Sequence, residues 1–160
     1  FWGMSSLVIN TVLGSIKLTL RQDAAPITAA HVSTLVNSGL FNSGAVKFYR
    51  SDFVIQTGLY STSIENPIPD LSVNETGLHV KLSNVRGTCS IAHHDVPDNG
   101  NSEFFINLGA NTHLDSAFGG YCVFANVDEN DTASFKAIDA IAAQIAGGGE
   151  QVQVTGMAIL

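Results

Sequence analysis

The sequence is poor in cysteine and in basic residues, and each shortage excludes a class of protein. Its 160 residues include two cysteines, too few for the disulfide framework of a small secreted domain. Cys89 and Cys122 both lie in apolar runs, which predicts buried, reduced thiols. Seven Lys and Arg stand against fourteen Asp and Glu, a net charge of −7. Because binding to a phosphate backbone depends on basic residues, we expect no nucleic-acid partner.

Long apolar runs are also absent. No stretch reaches the roughly 18 apolar residues that a membrane span needs, and no basic segment followed by an apolar one precedes the first strand-like pattern. We therefore expect no membrane association, no signal peptide and a cytoplasmic, monomeric protein. The opening residues Phe1-Trp2-Gly3-Met4 look like an added or trimmed end, which leaves a removed targeting segment open.

The composition is that of a folded chain. Apolar residues make up 45% and charged residues 13% of the sequence, unlike the composition of disordered chains. A chain of this length can bury a single core, so we expect one domain over residues 1–160.

Periodicity predicts a mainly β chain. Alternation over residues 16–20 predicts a strand that pairs, through a turn at Gly14, with a strand around residues 6–12. Further segments rich in β-branched, aromatic or other apolar residues predict strands at residues 46–49, 53–57, 88–92, 103–108, 121–127 and 152–154. Ser51-Asp52 is the expected turn of a second hairpin, and residues 59–86 are an irregular surface loop.

Helical spacing appears twice. Apolar residues recur on one face between Pro26 and Gly39, and again between Phe135 and Ile145. The order of elements contains no βαβ repetition, which favours an antiparallel sheet closed by helices.

Four motifs in order indicate a family. They are Phe48-Tyr49-Arg50 with Phe53 and Gln56; Gly87-Thr88-Cys89-Ser90-Ile91-Ala92; Ser102-Glu103-Phe104-Phe105-Ile106-Asn107; and Leu114-Asp115 leading to Phe118-Gly119-Gly120-Tyr121-Cys122-Val123-Phe124. With these motifs the chain resembles the cyclophilins almost from end to end. The resemblance implies a closed eight-stranded antiparallel β-barrel capped by two α-helices, with peptidyl-prolyl cis-trans isomerase activity.

The resemblance also implies roles for individual residues. Arg50 is the catalytic arginine and Gln56 its amide partner. The residues implied in substrate binding are Phe53, Val54, Phe105 and Leu114 as the proline pocket, Ala92 and His93 through backbone groups, and Glu103, His113 and Tyr121.

Several of these positions depart from the family pattern. Two residues that usually separate the arginine from the pocket phenylalanine are missing, which leaves Ser51-Asp52 between them. Glu103 stands where glutamine is usual, and we expect its carboxylate to compete for the guanidinium of Arg50. Tyr121 replaces a frequent histidine. His113 stands where some members carry tryptophan, so we expect weak binding of cyclosporin-like peptides and a pH dependence near neutrality.

The chemistry of isomerisation suits these residues. Rotation about a prolyl bond needs no nucleophile, metal or cofactor, and we expect none. A guanidinium that donates to the prolyl nitrogen stabilises the twisted amide, while apolar residues hold the ring. A metal site at His93-His94-Asp95 is disfavoured because neighbouring strand residues face opposite ways.

Two functions remain open at this point. The first is an isomerase that acts on Xaa-Pro bonds in folding or flexible polypeptides, as a folding chaperone does. The second is a module that binds proline-containing peptides with weak or no turnover. A purely structural antiparallel domain would require the ordered motifs to be accidental.

Overall fold

The computed structural model describes residues 4–94 and 99–160 and contains a closed barrel of antiparallel strands. The strands are β1 (Ser6–Thr11), β2 (Gly14–Leu20), β3 (Lys47–Ser51), β4 (Val54–Thr57), β5 (Thr88–Ile91), β6 (Phe104–Asn107), β7 (Val123–Asn126) and β8 (Val152–Ile159). Their order around the barrel is β1-β2-β7-β5-β6-β4-β3-β8, and β8 pairs with β1 to close the ring. The predicted fold class is confirmed. Phe1-Trp2-Gly3 lie outside the described residues.

Two helices pack against the barrel, as predicted. They are α1 (Pro26–Asn37) and α2 (Thr132–Ala146). Helix α2 begins three residues before Phe135, because Asp131 caps it by accepting a hydrogen bond from the backbone nitrogen of Ser134 at 2.9 Å. Within the described residues, neither helix is both long and apolar enough to cross a bilayer.

The second hairpin forms, but the predicted turn at Ser51-Asp52 is wrong by one residue. Ser51 belongs to β3 and pairs with Ile55 of β4, so the turn consists of Asp52 and Phe53. The hydroxyl of Ser51 also donates to the backbone carbonyl of Ala142 in α2 at 3.0 Å, which joins this end of β3 to the helix. The shift places Phe53 at the tip of the hairpin.

A β-bulge lies between Phe48 and Arg50. Phe48 pairs with Thr57, whereas Arg50 pairs with Gln56, so the register changes across Tyr49. Residues two apart on a regular strand share a face, but here Phe48 is fully buried in the barrel while Arg50 is exposed. The bulge therefore turns Arg50 to the outer surface.

The core fills the barrel and the space beneath the helices. Phe104 lies in it and makes edge-to-face contacts with Phe41 and Phe124 at 6.0 and 6.1 Å between ring centroids. Cys89 and Cys122 are buried and unpaired, as predicted. Burial raises the pKa of the Cys122 thiol to about 11, so its reactive thiolate is scarce at neutral pH.

Residues 59–86 form the predicted irregular loop, which begins with the short 3₁₀ turn Leu59–Ser61. Glu75 fixes this loop to the start of α1. Its Oε1 accepts hydrogen bonds from the backbone nitrogen and the hydroxyl of Thr28 at 2.6 and 2.9 Å. The residue before the helix, Ala25, has no side chain that can cap it, so Glu75 satisfies a helical N–H from 47 positions away.

We predict that Glu75→Ala lowers the free energy of unfolding by about 1–3 kcal/mol, because it orphans the Thr28 N–H and leaves a void in a buried site. Denaturant unfolding followed by circular dichroism measures the change. Glu65→Ala is the matched control, since Glu65 lies exposed in the same loop. Equal stability of the two variants would contradict a capping role for Glu75.

Candidate functional site

The register of the barrel places three predicted site residues side by side. Arg50 of β3 pairs with Gln56 of β4, and Gln56 pairs with Phe105 of β6. Directly paired residues present their side chains on the same face of a sheet. The three side chains therefore form one row on the outside of the barrel, and the next residue in the row is Ser90 of β5.

A cavity of about 260 Å³ opens over this row. The residues that line it are Arg50, Phe53, Val54, Gln56, Tyr60, Ala92, His93, His94, Glu103, Phe105, Leu114 and Tyr121. Val54, Phe105 and Leu114 form a buried apolar cluster separate from the barrel core, with Ala92 and Tyr121 packed against it. Among the described residues, the lining thus combines an apolar cluster with the guanidinium of Arg50.

The alternation of β6 separates this pocket from the core. Phe104 points into the barrel, whereas Phe105 points outward into the pocket. His113 lies beside the pocket rather than in its lining, where it is exposed and contacts the Phe53 ring edge-to-face at 5.4 Å. Its contact with the site is therefore through the ring of Phe53, and a direct role in substrate binding stays a prediction.

Arg50 is held on three sides. Its Nε donates to Asp52 at 2.8 Å, and its Nη1 donates to the side-chain carbonyl of Gln56 at 3.3 Å. The guanidinium carbon also lies 5.3 Å from the centre of the Phe53 ring, within the range of a cation–π interaction. Its carboxylate partner is thus Asp52.

Glu103 lies at the floor of the cavity and is almost completely buried. One carboxylate oxygen accepts from the hydroxyl of Tyr49 and from Nε2 of Gln56, the latter at 3.3 Å, and the other accepts from the backbone nitrogen of Tyr60 at 3.0 Å. Among the described residues, no hydrogen bond or ion pair joins Glu103 to Arg50, so the expected direct contact between the carboxylate and the guanidinium does not form. An effect of Glu103 on turnover stays a prediction.

Glu103 instead determines how Gln56 is oriented. An ionised carboxylate can only accept, so the NH₂ group of Gln56 must face it, and this group also donates to the Tyr49 hydroxyl at 3.0 Å. The carbonyl oxygen of Gln56 then faces Arg50. Burial, with the neighbouring carboxylate, raises the pKa of Tyr49, which keeps its hydroxyl a donor.

Aromatic pairs complete the far wall. The rings of His93 and Tyr121 stack at 4.2 Å between centroids, and those of Tyr60 and His94 stack at 5.9 Å. His93 also contacts the carbonyl of Gly120 through Nε2 at 2.9 Å. These contacts hold the two ring pairs of the wall in place. Asp95, the third residue of the disfavoured metal motif, lies outside the described residues.

A chain of buried amides supports the site from behind. Asn84 donates through Nδ2 to the carbonyl of Tyr121 at 3.0 Å and accepts from Asn107 at 3.0 Å. Asn107 in turn accepts from Nδ2 of Asn111 at 2.9 Å, and Asn111 donates to the carbonyl of Phe53 at 2.9 Å. The two ends of this series of hydrogen bonds are therefore Tyr121 and Phe53, which both line the pocket.

Four residues that contribute here had no site role in the sequence analysis. Tyr49 and Asp52 lie within or next to the arginine motif, so their proximity to Arg50 was a usable signal. Tyr60 and His94 lie in irregular segments, and no spacing in the sequence indicates that their rings stack.

Comparison with known proteins identifies the fold and its family. The model of the family "Cyclophilin type peptidyl-prolyl cis-trans isomerase/CLD" matches residues 6–159. The chain belongs to this family. Peptidyl-prolyl cis-trans isomerases of Acinetobacter baylyi and Dickeya dadantii are 30% and 31% identical to it, over 74% and 76% of its length. The chain spans 64% of the length of each of these relatives.

Solved structures of cyclophilins share the barrel. A cyclophilin-type peptidyl-prolyl cis-trans isomerase of Cryptosporidium parvum, determined in the presence of the dipeptide Ala-Pro, superposes with a TM-score of 0.77. The match covers 97% of this chain and 98% of that one at 19% sequence identity. At this identity the match establishes a shared cyclophilin fold.

The network around Glu103 predicts a pH dependence. Burial raises the pKa of Glu103 above its usual 4.5, although its hydrogen bonds with Tyr49, Tyr60 and Gln56 oppose the shift. As pH falls through this raised pKa, the carboxyl gains a proton and loses acceptor capacity. We predict that affinity for a proline-containing peptide falls over this range in the wild type but not in Glu103→Gln, as measured by calorimetric titration.

The free energy of unfolding should rise as pH falls, in the opposite direction to the affinity for the peptide. A carboxyl whose pKa is raised by folding takes up a proton more readily in the folded state, so it stabilises below its unfolded pKa and loses this effect as pH rises through its folded pKa. The free energy of unfolding of the wild type, relative to Glu103→Gln, should therefore rise as pH falls through the raised pKa of Glu103 towards its usual value. A pH-independent difference between the two would contradict a raised pKa.

Proposed function

We propose that this chain is a peptidyl-prolyl cis-trans isomerase that accelerates rotation of Xaa-Pro bonds in folding or flexible polypeptides. The observation that carries the proposal is the hydrogen bond between Arg50 and Gln56 at the edge of a cavity bounded by Val54, Phe105 and Leu114. Membership of the cyclophilin family supports it.

The reaction needs a donor that acts on the twisted amide. Resonance in a prolyl bond imposes a barrier of about 18–20 kcal/mol, and twisting the bond localises a lone pair on the prolyl nitrogen. A donor near this nitrogen interacts with the twisted state more strongly than with the planar one, which lowers the barrier. The guanidinium of Arg50 remains charged at all physiological pH values and offers several donors in a rigid fork.

The pocket supplies orientation and a lowered dielectric. Phe105, Val54 and Leu114 would hold the prolyl ring, and because they are buried they would keep water from the side of the ring that they contact. The Cryptosporidium parvum relative was crystallised with Ala-Pro, which supports proline-containing peptides as ligands of this pocket. No covalent intermediate is required.

A second candidate is a module that binds proline-containing peptides with little turnover. The ion pair between Arg50 and Asp52 favours it, because a carboxylate 2.8 Å from Nε withdraws part of the positive charge from the substrate. The shortened hairpin also leaves Phe53 partly exposed at its tip. Both candidates use the same pocket and differ in the action of Arg50.

We predict that Arg50→Ala lowers kcat/KM about 100-fold or more in a protease-coupled proline-peptide assay, since it removes the donor proposed to act on the prolyl nitrogen. Arg86→Ala is the matched control. Arg86 is likewise an exposed arginine in an ion pair beside a phenylalanine ring, but it does not line the cavity. Its removal should leave kcat/KM unchanged.

Peptide binding measured by calorimetry distinguishes the two candidates. An isomerase should show turnover in the wild type and retain most of its peptide affinity in Arg50→Ala. A wild type that binds the peptide without turnover would establish the binding module instead.

We also predict weak binding of cyclosporin-like cyclic peptides. His113 presents an exposed imidazole against Phe53 where some family members offer a larger indole, so less apolar surface is available to a bulky ligand. Fluorescence titration measures the affinity, and a nanomolar dissociation constant would contradict the prediction.

A further inference from the structure

The carboxylate of Asp52 accepts hydrogen bonds both from the hairpin backbone and from the guanidinium of Arg50. Its Oδ1 accepts from the backbone nitrogen of Val54 at 3.2 Å, and its own backbone nitrogen donates to the Val54 carbonyl at 3.0 Å, which closes the hairpin turn. Its Oδ2 accepts from Nε of Arg50 at 2.8 Å. The turn and the guanidinium are thus joined through one side chain that does not line the cavity.

These contacts determine which part of the guanidinium is available. Asp52 takes Nε, and Gln56 takes Nη1. Among the described residues, Nη2 is the guanidinium nitrogen left without a hydrogen-bond acceptor. In the free protein, hydrogen bonds at two of its three nitrogens therefore fix the rotation of the guanidinium that a substrate in the cavity would contact.

We propose that Asp52 is a positioning residue that holds the guanidinium of Arg50 so that Nη2 faces the prolyl bond; this inference rests on the proposed isomerase function. An arginine side chain has many rotamers, and the Arg50 side chain is 43% exposed, so packing alone does not fix it. The ion pair keeps it in one orientation before the substrate binds, which lowers the entropy lost on reaching the transition state.

The two oxygens of Asp52 allow the two roles to be separated. In Asp52→Asn the side-chain carbonyl can still accept from Val54, whereas the NH₂ group faces the Nε–H of Arg50 and cannot accept from it. The turn is retained while the hold on Arg50 is lost. Asp52→Ser is a second variant of the same kind, because its hydroxyl can accept from Val54.

The expected result is a fall in kcat/KM of about two- to fivefold in Asp52→Asn, the range expected for loss of an exposed ion pair. The assay uses a capped, uncharged proline peptide, so that direct attraction between substrate and Asp52 plays no part. The loss should appear in kcat, with peptide affinity and the unfolding midpoint unchanged. Raising the salt concentration should lower wild-type activity towards that of Asp52→Asn and leave the variant unaffected.

Asp139→Asn is the matched control. Asp139 binds Arg86 through two contacts of 2.9 Å, and Arg86 lies over Phe135 at 4.8 Å, so the same three residue types meet away from the cavity. The control loses one negative charge, as Asp52→Asn does. Its kcat/KM should equal that of the wild type.

The outcomes separate the inference from the proposed function. A wild type without isomerase activity overturns both. An active wild type with unchanged or increased kcat in Asp52→Asn overturns the role of Asp52 alone, as does an equal loss in Asp139→Asn. In an Arg50→Ala background, Asp52→Asn should have no further effect, and an additional loss there would also overturn it. If Asp52→Asn does not fold, Asp52→Ser decides by the same criteria.

Discussion

The lateral register of four strands is the constraint on which the site depends. Arg50, Gln56, Phe105 and Ser90 form one continuous row of paired residues across β3, β4, β6 and β5. Since a slip of one residue turns every side chain of a strand to the opposite face, the catalytic arginine proposed here and its pocket exist only in this register. The closed barrel enforces that register, because each strand is paired on both sides.

Next to this row, a buried side chain orients the more exposed side chains through hydrogen bonds. Glu103 is buried and orients the amide of Gln56, and Gln56 presents its carbonyl to the half-exposed guanidinium of Arg50. The buried amides Asn107 and Asn111 act in the same way on the carbonyl of Phe53. Polar groups with no access to water must be satisfied within the protein, so these networks have few alternative arrangements, and they orient exposed groups that would otherwise move.

Much of the fold and part of the site could be predicted from the sequence. Periodicity located both helices and the strands, and the ordered motifs indicated the barrel. Periodicity could not predict the bulge at Tyr49, because regular alternation puts Phe48 and Arg50 on the same face. The partner of Arg50 was also missed: Asp52 was interpreted as turn chemistry and Glu103 as the competitor. Proximity in sequence does not reveal which donors a buried carboxylate already serves.

The charges around Arg50 affect both the orientation of its guanidinium and its strength as a hydrogen-bond donor, in opposite ways. Arg50 is the one Lys or Arg among the described residues that line the cavity, and carboxylates lie nearby at Asp52 and Glu103. Each carboxylate reduces the positive potential that a developing lone pair experiences, so both would be harmful if strength alone limited the reaction. Solvent weakens the electrostatic effect of the exposed Arg50–Asp52 pair, however, whereas a hydrogen bond still depends on the direction of its donor. If Arg50 acts as the proposed donor, we therefore expect a neutral peptide bond to gain more from the direction of this donor than it loses from partial neutralisation of its charge.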